Sequence, residues 1–147
     1  MKYVFRLESL LKVKKMEEDL QQKKVQIAEV DYLKVVAKQR QLFDERKTSI
    51  DDLKKYKVFN SRTYMISMNY VSEINRRIEA NNKTLREKEK VLNKEKSFLI
   101  SISMDRMMLE KLKEKQMEDY RKQEDMKEQK LMDEMGIRNY NNSLTGY

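Results

Sequence analysis

The chain has no cysteine, no histidine, no proline and no tryptophan, and its only glycines are Gly136 and Gly146. Without cysteine there is no thiolate nucleophile and no disulfide. Without histidine there is no imidazole general base, and the usual ligand sets for zinc cannot be written. Phosphate-cradling loops and dinucleotide fingerprints need glycines at fixed spacings that this sequence lacks. Nucleotide hydrolysis by the chain is therefore not expected, and neither is a catalytic residue, a metal site or a bound cofactor. No apolar run approaches the roughly 18 residues that span a bilayer, since the longest uncharged stretches are residues 63–72, 139–147 and 97–104. The opening Met1-Lys2-Tyr3-Val4-Phe5-Arg6 has no apolar signal-peptide core. These features predict a non-enzymatic protein of the cytoplasm.

What is present is a long helical pattern. Residues 1–135 contain no helix breaker, whereas an interior proline costs a helix about 3 kcal/mol and a glycine about 1 kcal/mol. With 39% charged residues and a mean hydropathy of -0.94, the chain is too polar for a large globular core. Its apolar residues nevertheless recur at coiled-coil spacing. Val71, Ile78, Leu85, Leu92 and Leu99 fall every seven residues, joined by Ile74, Ile102, Leu109 and Leu112. In the first half Leu10, Val13, Leu20, Ile27 and Val30 precede a drift to Val36, Phe43 and Ile50. Folded back on itself, the chain would pair Ile50 with Val71, Phe43 with Ile78, Val36 with Leu85 and Val30 with Leu92, all about residue 60 or 61.

Turn chemistry sits at that centre. Asn60 tolerates the left-handed conformation that ends a helix, and Ser61 or Thr63 can cap the next one. The predicted fold is all-α: an antiparallel two-helix coiled-coil hairpin with unequal arms, turning near Asn60-Ser61. Helix one would run over about residues 4–58 and helix two over about 62–135, as a single domain. The asparagine-rich tail over 136–147 is expected to be disordered. Beyond about residue 117 the second arm would have no partner, and Glu118 to Lys130 reads as a solvated, charged helix or as an end made for insertion. Between Ile74 and Ile102 the seam carries Asn81, Lys88 and Glu95, so the middle should be soft.

Charge is uneven. Of a net charge of +8, residues 54–77 hold Lys54, Lys55, Lys57, Arg62, Arg76 and Arg77 against Glu73 alone. Tyr56, Phe59, Tyr64 and Tyr70 share this tip with Met65 and Met68. Such a surface suits an acidic protein partner near a membrane. Single-stranded nucleic acid, held by stacking and phosphate contacts, is the rival reading, and a homodimeric coiled-coil scaffold of one unbroken helix is another.

The ends carry a resemblance. Phe5-Arg6-Leu7-Glu8-Ser9-Leu10-Leu11, together with Glu110-Lys111-Leu112-Lys113-Glu114, Lys127-Glu128-Gln129-Lys130 and Asp133-Glu134, is similar to the FliJ family of the bacterial flagellar export apparatus. The resemblance covers essentially the whole chain. It implies a stalk-like antiparallel coiled coil, monomeric when free, whose paired termini enter the pore of the hexameric export ATPase FliI. It further implies that the hairpin body contacts the export gate protein FlhA, with export chaperones as another partner class, at the cytoplasmic side of the inner membrane. A homologous stalk serves injectisome secretion. By the same resemblance, Arg6, Leu7, Leu10, Leu11, Arg121, Glu128, Gln129, Lys130 and Asp133 would face the ATPase. Leu42, Tyr70 and Ile74 would face the gate, although the first helix has Glu45 and Ser49 where that surface would be aromatic. The function so implied is a non-enzymatic stalk needed for flagellum assembly and motility.

Overall fold

The computed structural model describes residues 2–55 and 60–146. Two α-helices account for nearly all of them: α1 is Glu8–Lys55 and α2 is Ser61–Thr145, of 48 and 85 residues. They pack against each other as a hairpin of unequal arms, with no strand among the described residues. Contacts divide the chain into two units, one of residues 1–16 with 102–147 and one of residues 17–101.

Within residues 17–101, α1 and α2 run antiparallel. Arg46 meets Asn75 at 3.1 Å, and the Gln39 amide donates to Asn82. Both pairs are symmetric about residues 60 and 61, the centre expected from the turn. Two apolar clusters form the core: Leu42 with Ile74 and Ile78, and Val25 and Ala28 with Leu92, flanked by Tyr32 and Leu99. Burying each of these larger aliphatic side chains contributes about 1.5–3 kcal/mol.

The α2 seam is the expected one as far as Leu109, with Val71, Ile74, Ile78, Asn81 and Leu92 buried and Leu85, Leu99, Ile102 and Leu109 half-buried, whereas Leu112 is exposed. On α1 the seam differs from the expectation by one residue. Leu10, Val13, Leu20, Ile27, Val30, Phe43 and Ile50 are all exposed. The inward positions are instead Leu11, Gln21, Val25, Ala28, Gln39 and Leu42, with Lys14, Glu18, Tyr32, Val35, Arg46, Ser49 and Leu53 half-buried between them. Their spacing alternates three and four, so α1 carries two heptad stripes. The less apolar one is inside.

The polar residues of α2 explain the choice. A buried amide or carboxylate must be hydrogen-bonded or it costs about 1–3 kcal/mol. Asn81 Nδ2 donates to Val35 O at 3.2 Å and to Gln39 Oε1 at 2.6 Å. Gln21 Nε2 donates to Glu95 O at 3.0 Å and also to the Glu95 carboxylate. With Leu20 and Ile27 inward, those groups would face hydrocarbon. Among the described residues no buried side-chain nitrogen or oxygen lacks a partner.

The start of α2 also differs in detail. Phe59 and the residues back to 56 lie outside the described residues, as do Met1 and Tyr147. Asn60 is itself the N-cap, because its Oδ1 accepts from Arg62 N at 3.3 Å while its carbonyl accepts from Tyr64 N at 3.0 Å. Ser61 and Thr63 fall inside the first turn rather than capping it. At the other end α2 does not stop at 135 but continues to Thr145. One glycine without a following proline is a small penalty, and the Ser143 and Thr145 hydroxyls bond back to the carbonyls of Tyr140 and Asn141.

Candidate interaction surfaces

In the unit of residues 1–16 with 102–147, the N-terminal segment is bound to α2 at several points. Glu8 N donates to Phe5 O at 3.2 Å and Leu11 N to Leu7 O at 2.9 Å, which starts α1. Phe5 and Leu11 are buried, Leu11 to 1% exposure. Around them the attachment is polar. Lys113 Nζ lies 2.7 Å from Glu8 Oε2, Lys14 pairs with Asp105 at 3.6 Å, and Lys15 pairs with Glu110 at 3.9 Å. The hydrogen bond from Lys113 lowers the Glu8 pKa below its ordinary value, with the charges of Lys113, Lys12 and Lys15 acting in the same direction. Tyr3 donates to Gln116 Oε1 at 3.2 Å, and its ring lies 5.6 Å from that of Tyr120 at a tilt of 44°.

This unit brings together part of the set expected to face an ATPase. Arg6, Leu7 and Leu10 are exposed around the first turn of α1, whereas Leu11 supports them from inside. Arg121 is exposed one residue after Tyr120 and lines a shallow groove with Lys111, Glu114, Lys115, Met117 and Glu118. Glu128, Gln129, Lys130 and Asp133 lie farther along α2, where no described residue from 125 onward is buried or half-buried. Gln129 Nε2 donates to Asp133 Oδ1 at 3.3 Å. The sequence reading missed the Tyr3–Tyr120 contact. Its signal was the presence of a tyrosine at each end of this stretch, outside the heptad count.

In residues 17–101 the three candidate gate residues separate by depth. Leu42 and Ile74 belong to the core, Ile74 at 1% exposure, and only Tyr70 stands on the surface. Tyr70 borders a groove of about 560 Å³ with Ala37, Arg40, Gln41, Asp44, Glu45, Thr48 and Ser49. On its other side it adjoins Ile66, Ser67, Leu53 and Asp52. Tyr64, Met65, Ile66 and Met68, in the first two turns of α2, are exposed as well. Of the basic tip, Lys57 with Tyr56 and Phe59 lies outside the described residues.

Among the described residues no group of acidic side chains could hold a metal ion, and no helix is long and apolar enough to cross a membrane. No curated protein and no solved structure matches the chain. The family model for the flagellar FliJ protein matches residues 1–145. The chain belongs to the FliJ family, helical coiled-coil components of the flagellar type III protein export apparatus.

Proposed function

We propose that this protein is the non-enzymatic stalk of the flagellar export apparatus, inserting its paired termini into the hexameric export ATPase FliI and linking that ring to the gate protein FlhA at the inner membrane. The observation that supports this reading is the pairing at the ends. Residues 3–15 are held against residues 105–120 by Glu8–Lys113 and the Tyr3 contacts, and from residue 125 onward α2 continues helical with every described side chain exposed. A helix with no intramolecular partner over more than five turns gains most of its stability from packing against another surface.

In the ATPase contact Arg6, Leu7 and Leu10 act with Arg121, Glu128, Gln129, Lys130 and Asp133, while Leu11 holds the first turn in place. At the gate Tyr70 makes the contact, and Leu42 and Ile74 fix the helix spacing beneath it. Coupling then requires the stalk to bind one state of the ring better than another, because a ligand shifts an equilibrium only by its differential affinity.

The test is ATPase stimulation by two variants, one truncated after residue 117 and one carrying Arg6→Glu, Arg121→Glu and Lys130→Glu. Both should retain the helical pairing of residues 17–101 and lose stimulation of the ATPase and motility, since fixed charges in a pore reject the wrong sign. Full stimulation by a folded charge-reversed variant would move the ATPase contact to another part of the chain.

A further inference from the structure

Within residues 17–101, α1 stops at Lys55 and α2 starts at Ser61. From Leu53 to Ser72 the sequence has no acidic residue, and its charges, Lys54, Lys55, Lys57 and Arg62, are all positive. Lys54, Lys55 and Arg62 are exposed. The longest uncharged stretch of the chain, residues 63–72, lies in the first turns of α2. Tyr64, Met65, Ile66 and Met68 of that stretch are between 39% and 64% exposed. Single exposed apolar residues are ordinary, but four within five positions, beside cations alone, form a patch.

The directions of these side chains bear on what covers them. Successive residues of a helix point 100° apart, so Tyr64, Met65 and Ile66, with Met68 between the first two, surround more than half of α2. A facing helix or a peptide groove reads a single stripe at intervals of three and four. A fluid interface closes around an end of any outline. Nucleic acid is the poorer fit, because bases stack on aromatic faces and three of the four side chains have none.

We propose that this end of the hairpin adsorbs to the surface of an anionic phospholipid bilayer. Tyr64, Met65, Ile66 and Met68 enter the boundary between headgroups and acyl chains, and Lys54, Lys55 and Arg62 meet the lipid phosphates. Arg62 precedes Met65 and Ile66 by three and four residues, on the same face of α2. Its stem lies beside them while its guanidinium stays at the phosphate level. The first acids on either side bound the patch: Asp52, which shares a groove with Ile66 and Tyr70, and Glu73, which pairs with Arg76 and Arg77. Tyr70 is thus left outside the patch, and the proposal uses no residue assigned to the gate. This is contact with a bilayer surface, in keeping with the absence among the described residues of a helix long and apolar enough to cross one.

Flotation of the full-length chain with vesicles tests the proposal. The chain should float with vesicles of two parts phosphatidylcholine to one part phosphatidylglycerol, and not with phosphatidylcholine alone. Lys54→Gln, Lys55→Gln and Arg62→Gln combined should weaken that binding, and added salt should weaken it in the parent. Met65→Asp with Ile66→Asp, at exposed positions, should abolish flotation while leaving helicity and melting unchanged. Because the chain lacks tryptophan, Met65→Trp supplies a single probe of depth. Its emission should shift to the blue on anionic vesicles and be quenched by brominated acyl chains, whereas Ile27→Trp, at another exposed position, should do neither. Three results would overturn the proposal: no flotation of the parent, undiminished flotation of the Met65→Asp, Ile66→Asp variant, or a Met65→Trp spectrum that vesicles leave unchanged. Retention of a single-stranded oligonucleotide without flotation would overturn it in favour of nucleic acid.

Discussion

Asn81 is a buried side chain whose partners are all within hydrogen-bond reach. It is 8% exposed and donates to Val35 O and Gln39 Oε1, while Gln39 in turn donates to Asn82. Asn81→Ala should destabilise the pairing of residues 17–101 by about 1–3 kcal/mol, because Gln39 is left with an unpaired buried acceptor. Replacing Gln39 and Asn81 together by leucine should instead be close to neutral in thermal unfolding. The double variant should lose register fidelity, since polar seam residues specify alignment. Cysteine pairs displaced by one heptad would then crosslink in the double variant and not in the parent. Glu8 gives a second residue-level prediction. Its carboxylate is stabilised by the Lys113 hydrogen bond, so its folded pKa is below the unfolded one. Such a group contributes stability above its unfolded pKa and loses it as pH falls through the folded pKa. The first turn of α1 should therefore loosen in acid below the ordinary carboxylate value of 4.5, seen as faster amide exchange at Leu11 and Lys12. Glu8→Gln should remove that pH dependence.

At the scale of the element, α2 was legible and α1 was only half so. Along α2 the apolar seam residues have no rival stripe, and Val71, Ile74, Ile78 and Leu92 could be assigned from spacing alone. Along α1 hydrophobicity points to the stripe of Val13, Leu20, Ile27 and Val30, whereas the buried partners of Asn81 and Glu95 are Gln39 and Gln21. A count of apolar residues on one helix cannot weigh the polar demands of the other. The candidate site has the same limit. Arg6, Leu7, Leu10 and Tyr70 are on the surface as expected, but Leu11, Leu42 and Ile74 are inside, because a motif match does not report which side of a leucine-rich turn faces inward. The helix ends yield tests of their own. Asn60→Ala should cost about 1 kcal/mol through loss of the N-cap bond to Arg62 N. A Cβ at Gly136 would meet nothing within 4 Å. Gly136→Ala should thus raise the helicity of the last turns, with a gain of roughly 0.5–1 kcal/mol at that position, measured by circular dichroism and by amide exchange over 131–145.

For the whole molecule, the two units differ in what holds them. Residues 17–101 combine two apolar clusters with satisfied amide networks. In residues 1–16 with 102–147 the buried apolar side chains are Phe5 and Leu11, and much of the remaining attachment is ionic, through Glu8–Lys113, Lys14–Asp105 and Lys15–Glu110. Ion pairs that are partly exposed contribute about 0–1 kcal/mol each, and at 1 M salt the screening length is only about 3 Å. Local opening free energies should follow that difference. In native-state exchange with increasing urea, amides of residues 9–16 and 102–120 should lose protection before those of residues 25–42 and 71–92. Raising the salt should weaken protection in the first set and leave the second nearly unchanged. A common loss of protection at one urea concentration, insensitive to salt, would mean that the ionic attachments add nothing and that both units unfold as one. If the ends do open first, the segment proposed to enter the ATPase is also the one able to exchange its internal ion pairs for contacts with a partner. Charge reversal at Glu8 should then both loosen the first turn and reduce ATPase stimulation, although Glu8 itself need not touch the ring.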